Sequence, residues 1–236
     1  MNTLLADTPQ SDFHSYRYLR NTARRLEHLA TLGLSYQDQS ILELGAGIGD
    51  LSTFFLDRGA TVHATEGRPE NYAFLADRFS EEPNITTELL DLDPPPADFE
   101  RTYDMVVSYG LLYHLSDPAA GLDFMSNATN QTLLLESICR PGEDLAINPH
   151  KEVQAQAGAA YTGMGCRPTR KWVHQQLCER FEFVYLPTTQ PSHSEFPTDW
   201  TKPRYAAATR AIFVASRVPI KSPLLTQDLP MTQHAV

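Results

Sequence analysis

A doubly wound α/β fold, with a mostly parallel sheet and an antiparallel strand at its C-terminal edge, is the class this 236-residue sequence predicts. Three observations predict it. Apolar runs of strand length alternate with helical periods from about residue 40 to residue 136. A glycine-rich turn, Gly45-Ala46-Gly47-Ile48-Gly49, follows the first run. Two late apolar runs are joined by no crossover helix, which suits an antiparallel pair.

Taken in order, residues 13–32 place Phe13, Tyr16, Leu19, Ala23, Leu26, Leu29 and Ala30 at helical spacing, and Gly33 ends that helix. Strands are expected at 40–44, 61–65, 85–90, 103–108 and 132–136, with helices at 50–57, 70–79 and 119–128. Residues 140–168 break the rhythm: they are rich in Gly, Ala and Pro and have no period. They read as an insertion over the sheet edge, where long loops serve as lids. Thr169 is the expected N-cap of a helix through Trp172, Val173 and Leu177. Residues 181–186 and 210–215 form the late pair, separated by the proline-rich stretch 187–203. From about residue 218 the mixture of Pro, Gln and Thr reads as a loose tail. The expected organisation is a helical cap over 1–36, one α/β domain over 37–218 with its insertion at 140–168, and a flexible tail over 219–236.

Composition narrows the function classes. No apolar run approaches the roughly 20 residues that cross a bilayer, so no membrane role is expected. Residues 1–7 lack the basic segment and longer apolar core of a secretion signal, which implies a cytoplasmic protein. Cys139, Cys166 and Cys178 show neither paired metal-ligand spacing nor an even count, so no metal site and no disulfide framework is expected. A formal charge of −10 disfavours nucleic acid, whose sequence-independent affinity comes from cations on phosphates. Arg17, Arg20, Arg24 and Arg25 are the one basic concentration.

The segment Ile41-Leu42-Glu43-Leu44-Gly45-Ala46-Gly47-Ile48-Gly49-Asp50 is an apolar strand entering a glycine turn that opens a helix. Its spacing is G-x-G-x-G, whereas the dinucleotide fingerprint is G-x-G-x-x-G. Glu43 and Asp50 would also be poor company for a pyrophosphate. They suit a ligand carrying a sulfonium and an ammonium and no phosphate. Glu66 follows 21 positions after Gly45, at the second strand end, where an acceptor-only carboxylate can take both ribose hydroxyls.

These residues resemble the class I S-adenosylmethionine-dependent methyltransferases over about residues 38–138, which implies a Rossmann-like fold and S-adenosyl-L-methionine as cofactor. The resemblance places Glu43, Gly45, Ala46, Gly47 and Asp50 around the methionine part, and Glu66 and Gly67 at the ribose. It places Asp91 and Leu92 beside the adenine, although Asp91 also suits a plain turn before Asp93-Pro94-Pro95-Pro96.

The fourth strand delivers Tyr109-Gly110-Leu111-Leu112-Tyr113-His114-Leu115-Ser116-Asp117-Pro118 at its C-terminal end, where open α/β sheets bind ligands. His114 is the leading candidate base, or a loop-holding histidine. Tyr109 is assigned to the cofactor wall and Tyr113 to the acceptor. The L-L-Y-H-L-x-D-P string resembles a subset of the class that includes tRNA wobble-uridine-modifying enzymes and many enzymes acting on small molecules or sugars. Arg167 and Arg170 could clamp an acidic acceptor or simply open a helix. His193, two residues before Glu195, is a secondary base candidate. Tyr16 on the leading helix is assigned to acceptor binding or to amphipathic packing.

The expected function is methyl transfer to a small metabolite or saccharide, at oxygen. Two alternatives stand beside it: a tRNA wobble-uridine (carboxy)methyltransferase, and a non-catalytic module that binds the adenosyl ligand. Oligomeric state is not legible.

Overall fold

The computed structural model describes residues 8–154, 156–202 and 209–236, so the expectations placed on residues 1–7 and on 203 lie outside the described residues. Its first element is α1 (Pro9–Phe13), opened by a capping box in which the Thr8 and Ser11 side chains answer each other's backbone. The single helix expected over 13–32 is broken here, because Ser15 turns its hydroxyl onto the Tyr18 amide and caps a new helix, α2 (Tyr16–Thr31).

Among the described residues eight strands then build the main sheet, in the spatial order β11-β8-β10-β5-β4-β1-β2-β3. These are β1 (Ser40–Leu44), β2 (Thr61–Glu66), β3 (Ile85–Leu89), β4 (Tyr103–Tyr109), β5 (Thr129–Ile138), β8 (Phe183–Pro187), β10 (Arg210–Ser216) and β11 (Leu225–Thr226). The first five pair in parallel, and the last three join antiparallel to their neighbours. The mostly parallel sheet with an antiparallel edge is therefore present. β10 slots between β5 and β8, and the two-residue β11 closes the rim.

Helices α3 (Ser52–Leu56), α4 (Pro69–Arg78), α5 (Pro118–Ala128) and α6 (Arg170–Cys178) cover the faces. Alternating side chains of β1 and β4 feed two cores: Ile41, Met105 and Val107 join α2 and α3 on one face, while Leu42, Leu44 and Val106 join α5 and α6 on the other. Thr169 caps α6 through its hydroxyl on the Trp172 amide, as expected.

Two regions depart from the sequence reading. The insertion carries a hairpin, β6 (Pro149–Lys151) against β7 (Met164–Cys166), which lays Gly165 against the short 3₁₀ turn Leu112–His114. The segment expected as a loose tail is packed: β12 (His234–Ala235) pairs in parallel with β9 (Thr189–Gln190). Between these lies Gln233, buried, accepting from Trp200 Nε1 at 2.9 Å and donating to the Pro187 carbonyl at 2.7 Å. Polar composition had suggested solvent, but these amides are consumed by internal partners.

Replacing Gln233 by Ala should therefore destabilise the protein by about 1–3 kcal/mol, since it strands the buried indole N–H and a carbonyl. Chemical denaturation of the variant beside wild type measures this, and an unchanged midpoint would mean that the C-terminal segment is not held.

Candidate active site

The turn after β1 is a left-handed staircase: Gly45, Gly47 and Gly49 have φ of +69°, +60° and +82°. A side chain is strained at such angles, and a Cβ on Gly47 would stand 2.9 Å from the Phe13 ring. The turn is pinned from β2. The Thr65 carbonyl accepts from the Ala46 amide, and Glu66 Oε2 accepts from the Gly47 amide at 2.8 Å. Glu66 Oε1 accepts from the Arg68 amide and Asn71 Nδ2. Burial raises this carboxyl above its ordinary range, and the donors on it pull it partly back.

Glu43 is 2% exposed and accepts from Ser52 Oγ at 2.6 Å; burial pushes its carboxyl up to about 7. Asp50 is answered by Arg78 at 2.6 Å and His14 at 3.3 Å. A cleft opens above this turn. Its wall includes Glu43, Gly45, Ala46, Gly47 and Asp50 from the turn, Glu66 and Gly67 after β2, Asp91 and Leu92 after β3, and Tyr109 at the end of β4. Asp91 is exposed at the rim of the cleft, where partial desolvation still raises its carboxyl, and it accepts from the Asp93 amide. The Tyr109 hydroxyl is buried without a partner among the described residues.

The cleft has two further walls, from the expected cap and lid, whose residues were not named as site residues from sequence. Tyr18, Thr22 and Arg25 of α2 close one side, and residues 157–161 of the insertion close another. The only sequence signal for Arg25 was the basic concentration on that helix. In the fold its guanidinium bonds to Glu136, a carboxylate fully buried at the end of β5. Glu136 also takes Arg210 at 2.9 Å, and Arg210 takes Glu195 at 2.8 Å. Glu195 in turn binds Arg17 at 2.9 Å and Asn21 at 2.9 Å.

This network forms the floor of a second cavity of about 520 Å³, which shares Tyr18, Arg25, Tyr113, His114, Gly158 and Ala159 with the cleft. His114 stands on the common wall. Its Nδ1 meets Glu152 Oε2 at 2.6 Å, and Glu152 is also held by Arg167 at 3.0 Å and by the Ala160 amide at 2.8 Å. Burial lowers the imidazole below its ordinary range, and Glu152 only partly offsets this. Burial would raise Glu152, but His114, the Ala160 amide and Arg167 together hold it down to about 2.

Not every residue singled out from sequence comes here. Tyr113 lines both cavities, its hydroxyl accepting from Arg210, and Arg167 lines the second with one amino group turned onto Glu152. Arg170 does not: it is buried against Trp200, 4.4 Å from the ring, and donates to the Pro230 carbonyl, because its position in the first turn of α6 faces the core. Tyr16 is 78% exposed and outside both cavities, since α2 turns Tyr18 inward instead. His193 also lies off the two walls and accepts from the Glu195 amide; from that segment Glu195 enters the second cavity. Among the described residues no group of three or more His, Cys, Asp or Glu could hold a metal ion.

Residues 42–132 match the family model described as a methyltransferase domain. No curated protein matches the chain. Among solved structures, the N-terminal domain of EvdMO1 in the presence of SAH and D-fucose shares the fold with a TM-score of 0.65, at 17% identity over 83% of this chain and 82% of that one. Magnesium protoporphyrin IX methyltransferase (ChlM) from Synechocystis PCC 6803 aligns at 0.54, with 14% identity over 90% and 85% of the two chains. An S-adenosylmethionine-dependent methyltransferase from Mesorhizobium loti aligns at 0.58, with 16% identity over 84% and 100%. Over residues 42–132 the chain is thus similar to a methyltransferase domain, on a fold it shares with enzymes that use S-adenosyl-L-methionine.

The residues present fit that cofactor. Glu43, Glu66 and Asp91 ring the cleft with acceptors and negative charge for an ammonium, a sulfonium and ribose hydroxyls, and Arg25 Nε and the Tyr109 hydroxyl, without partners among the described residues, have bonding capacity to spare. Replacing Glu66 by Ala removes both an acceptor and the clamp on the Gly47 amide. S-adenosyl-L-homocysteine affinity, measured by calorimetry, should fall about tenfold or more, the equivalent of one charged hydrogen bond. An unchanged Kd would take Glu66 out of the cofactor site.

Proposed function

We propose that this methyltransferase acts on an oxygen of a small hydroxylated acceptor of saccharide type, bound in the second cavity, with His114 as the base. The observation that carries this is the position of His114 on the wall between the two cavities, with Nδ1 engaged by Glu152. A carboxylate accepts only, so Nδ1 carries the proton and Nε2 keeps the free pair that a hydroxyl proton needs. Because burial depresses the imidazole, it stays neutral at physiological pH. Bound S-adenosyl-L-methionine supplies a methyl carbon already activated by its sulfonium, which leaves the chain to align the acceptor, exclude water and take one proton.

The cavity lining supports a hydroxylated ligand: it is built of Arg, Asn, Tyr, His and Glu side chains, with few apolar ones. The EvdMO1 domain, whose structure was determined in the presence of SAH and D-fucose, supports the same direction. Against an RNA acceptor, three of the four arginines of α2 are answered by carboxylates within the protein, Arg17 by Glu195, Arg24 by Glu27 and Arg25 by Glu136, while Arg20 lies over the Tyr16 ring. Few charges remain there to release counterions.

Incubation with methyl-labelled cofactor and a panel of D-fucose, other deoxysugars and sugar phosphates should label a sugar hydroxyl, while tRNA should stay unlabelled. Label on tRNA would replace the acceptor class, and binding without any transfer, even from a crude metabolite pool, would favour a non-catalytic module. With an accepted sugar, His114→Ala should lower kcat by roughly 10²–10⁴-fold and leave KM nearly unchanged. The wild-type rate should fall only as pH drops through the depressed pKa of His114, below the ordinary histidine range, and a rate insensitive to acid there would exclude the imidazole as base.

A further inference from the structure

The base is assembled from two parts of the chain. His114 belongs to the 3₁₀ turn after β4, whereas the carboxylate on its Nδ1 belongs to the insertion, one residue beyond β6. Glu152 has no freedom of its own there. Its Oε1 is bonded to Arg167, one residue beyond β7, and its Oε2 accepts from Ala160 in the loop that also walls the cofactor cleft. Arg167 Nη1 additionally donates to the Tyr113 carbonyl at 3.2 Å, so the hairpin is fastened to the turn that carries the histidine. The same loop is tied down at its other end, since Asn71 donates both to Glu66 and to the Ala157 carbonyl.

We propose that Glu152 is a positioning residue that sets the tautomer and orientation of His114 when the insertion is seated, so that a competent base exists only in the closed enzyme. The proposal rests on the reading of His114 as base. With Glu152 in place, the acceptor O–H bond breaks with its proton passing to Nε2 while Nδ1–H stays on Glu152. The acceptor oxygen bonds the methyl carbon, the carbon–sulfur bond breaks with its electron pair left on sulfur, and the imidazolium then releases its proton to solvent. With the insertion lifted, Nδ1 loses its acceptor, and the tautomer that leaves Nε2 bare is no longer enforced.

His114 meets charge from several sides: Glu152 from the insertion, Arg167 beyond β7, Arg210 from β10 and Arg25 from α2, with the hydroxyls of Tyr113 and Tyr18 on the same walls. Of these, Glu152 is the acceptor that touches the ring.

The test is proton–nitrogen correlation NMR of the His114 imidazole, followed through a pH titration of the protein saturated with S-adenosyl-L-homocysteine, which needs no acceptor. Wild type should show protonated Nδ1 and bare Nε2 at neutral pH. Glu152→Gln should mix the tautomers and move the titration to lower pH, because it removes the charge that favours the imidazolium, while S-adenosyl-L-homocysteine affinity stays within about twofold, the sign of an intact fold. Glu152→Asp, which keeps the charge, should recover part of the wild-type titration. The same tautomer and the same titration in wild type and Glu152→Gln would overturn the proposal even if His114→Ala is inactive. Full sugar methylation by His114→Ala would instead overturn the base reading on which the proposal stands.

Discussion

Much of this molecule depends on one carboxylate reaching across one turn. Glu66 accepts from the Gly47 amide and from the start of α4 at once, and so fixes the left-handed backbone after β1 relative to the end of β2. That backbone can come close to a ligand because Gly45, Gly47 and Gly49 lack Cβ atoms, and it cannot drift because the carboxylate is buried where an unmade bond is expensive. Through Asn71 the same carboxylate is linked to the insertion that walls the cleft. A group facing the cofactor site therefore also helps seat the loop that covers it.

Glu136 does the corresponding work beside the second cavity. It is fully buried at the C-terminal end of β5, and two arginines from different parts of the chain, Arg25 and Arg210, neutralise it. Burying a lone carboxylate there would be prohibitive, and losing either arginine should cost about 3–5 kcal/mol, the usual penalty for breaking a buried pair. A buried pair is weak evidence for net stability, but it does fix geometry. Arg25 brings α2 over the sheet edge, and Arg210 orients Tyr113 beside His114.

The legibility of these parts follows their physics. Strands and covering helices were readable because burial imposes periods of 2 and 3.6 on local sequence, and the turn was readable because positive φ selects glycine in a fixed pattern. Ser15 shifted a helix boundary through a single hydroxyl, which no period records. Glu152 and Arg167 were not readable as a pair: 15 residues apart on a hairpin whose strands are three residues each, they become partners of His114 only through tertiary contact. Arg170 and Tyr16 failed as site candidates for a related reason, because composition proposes a charged or aromatic side chain while the helical phase decides which way it points. The C-terminal segment misled in the opposite sense, its polar amides being paired inside the protein.

The sign of charge around the two cavities gives the arrangement a direction. Carboxylates surround the cleft, where Glu43, Glu66 and Asp91 are all raised by burial, whereas guanidinium groups dominate the neighbouring cavity. A cation is thus favoured in the cleft, and on the proposed reading an acceptor in the neighbouring cavity would meet hydrogen-bond donors that stabilise negative charge developing on an oxygen. His114 lies between these fields, close enough to Arg167 and Arg210 to be pushed toward neutrality and tied to Glu152 strongly enough to keep one tautomer. The net charge of −10 does not describe either cavity, since local pairs rather than the overall balance set the potential at the point of transfer. That is why a charge argument could count against a polyanionic partner and yet say nothing about what the enclosed arginines face.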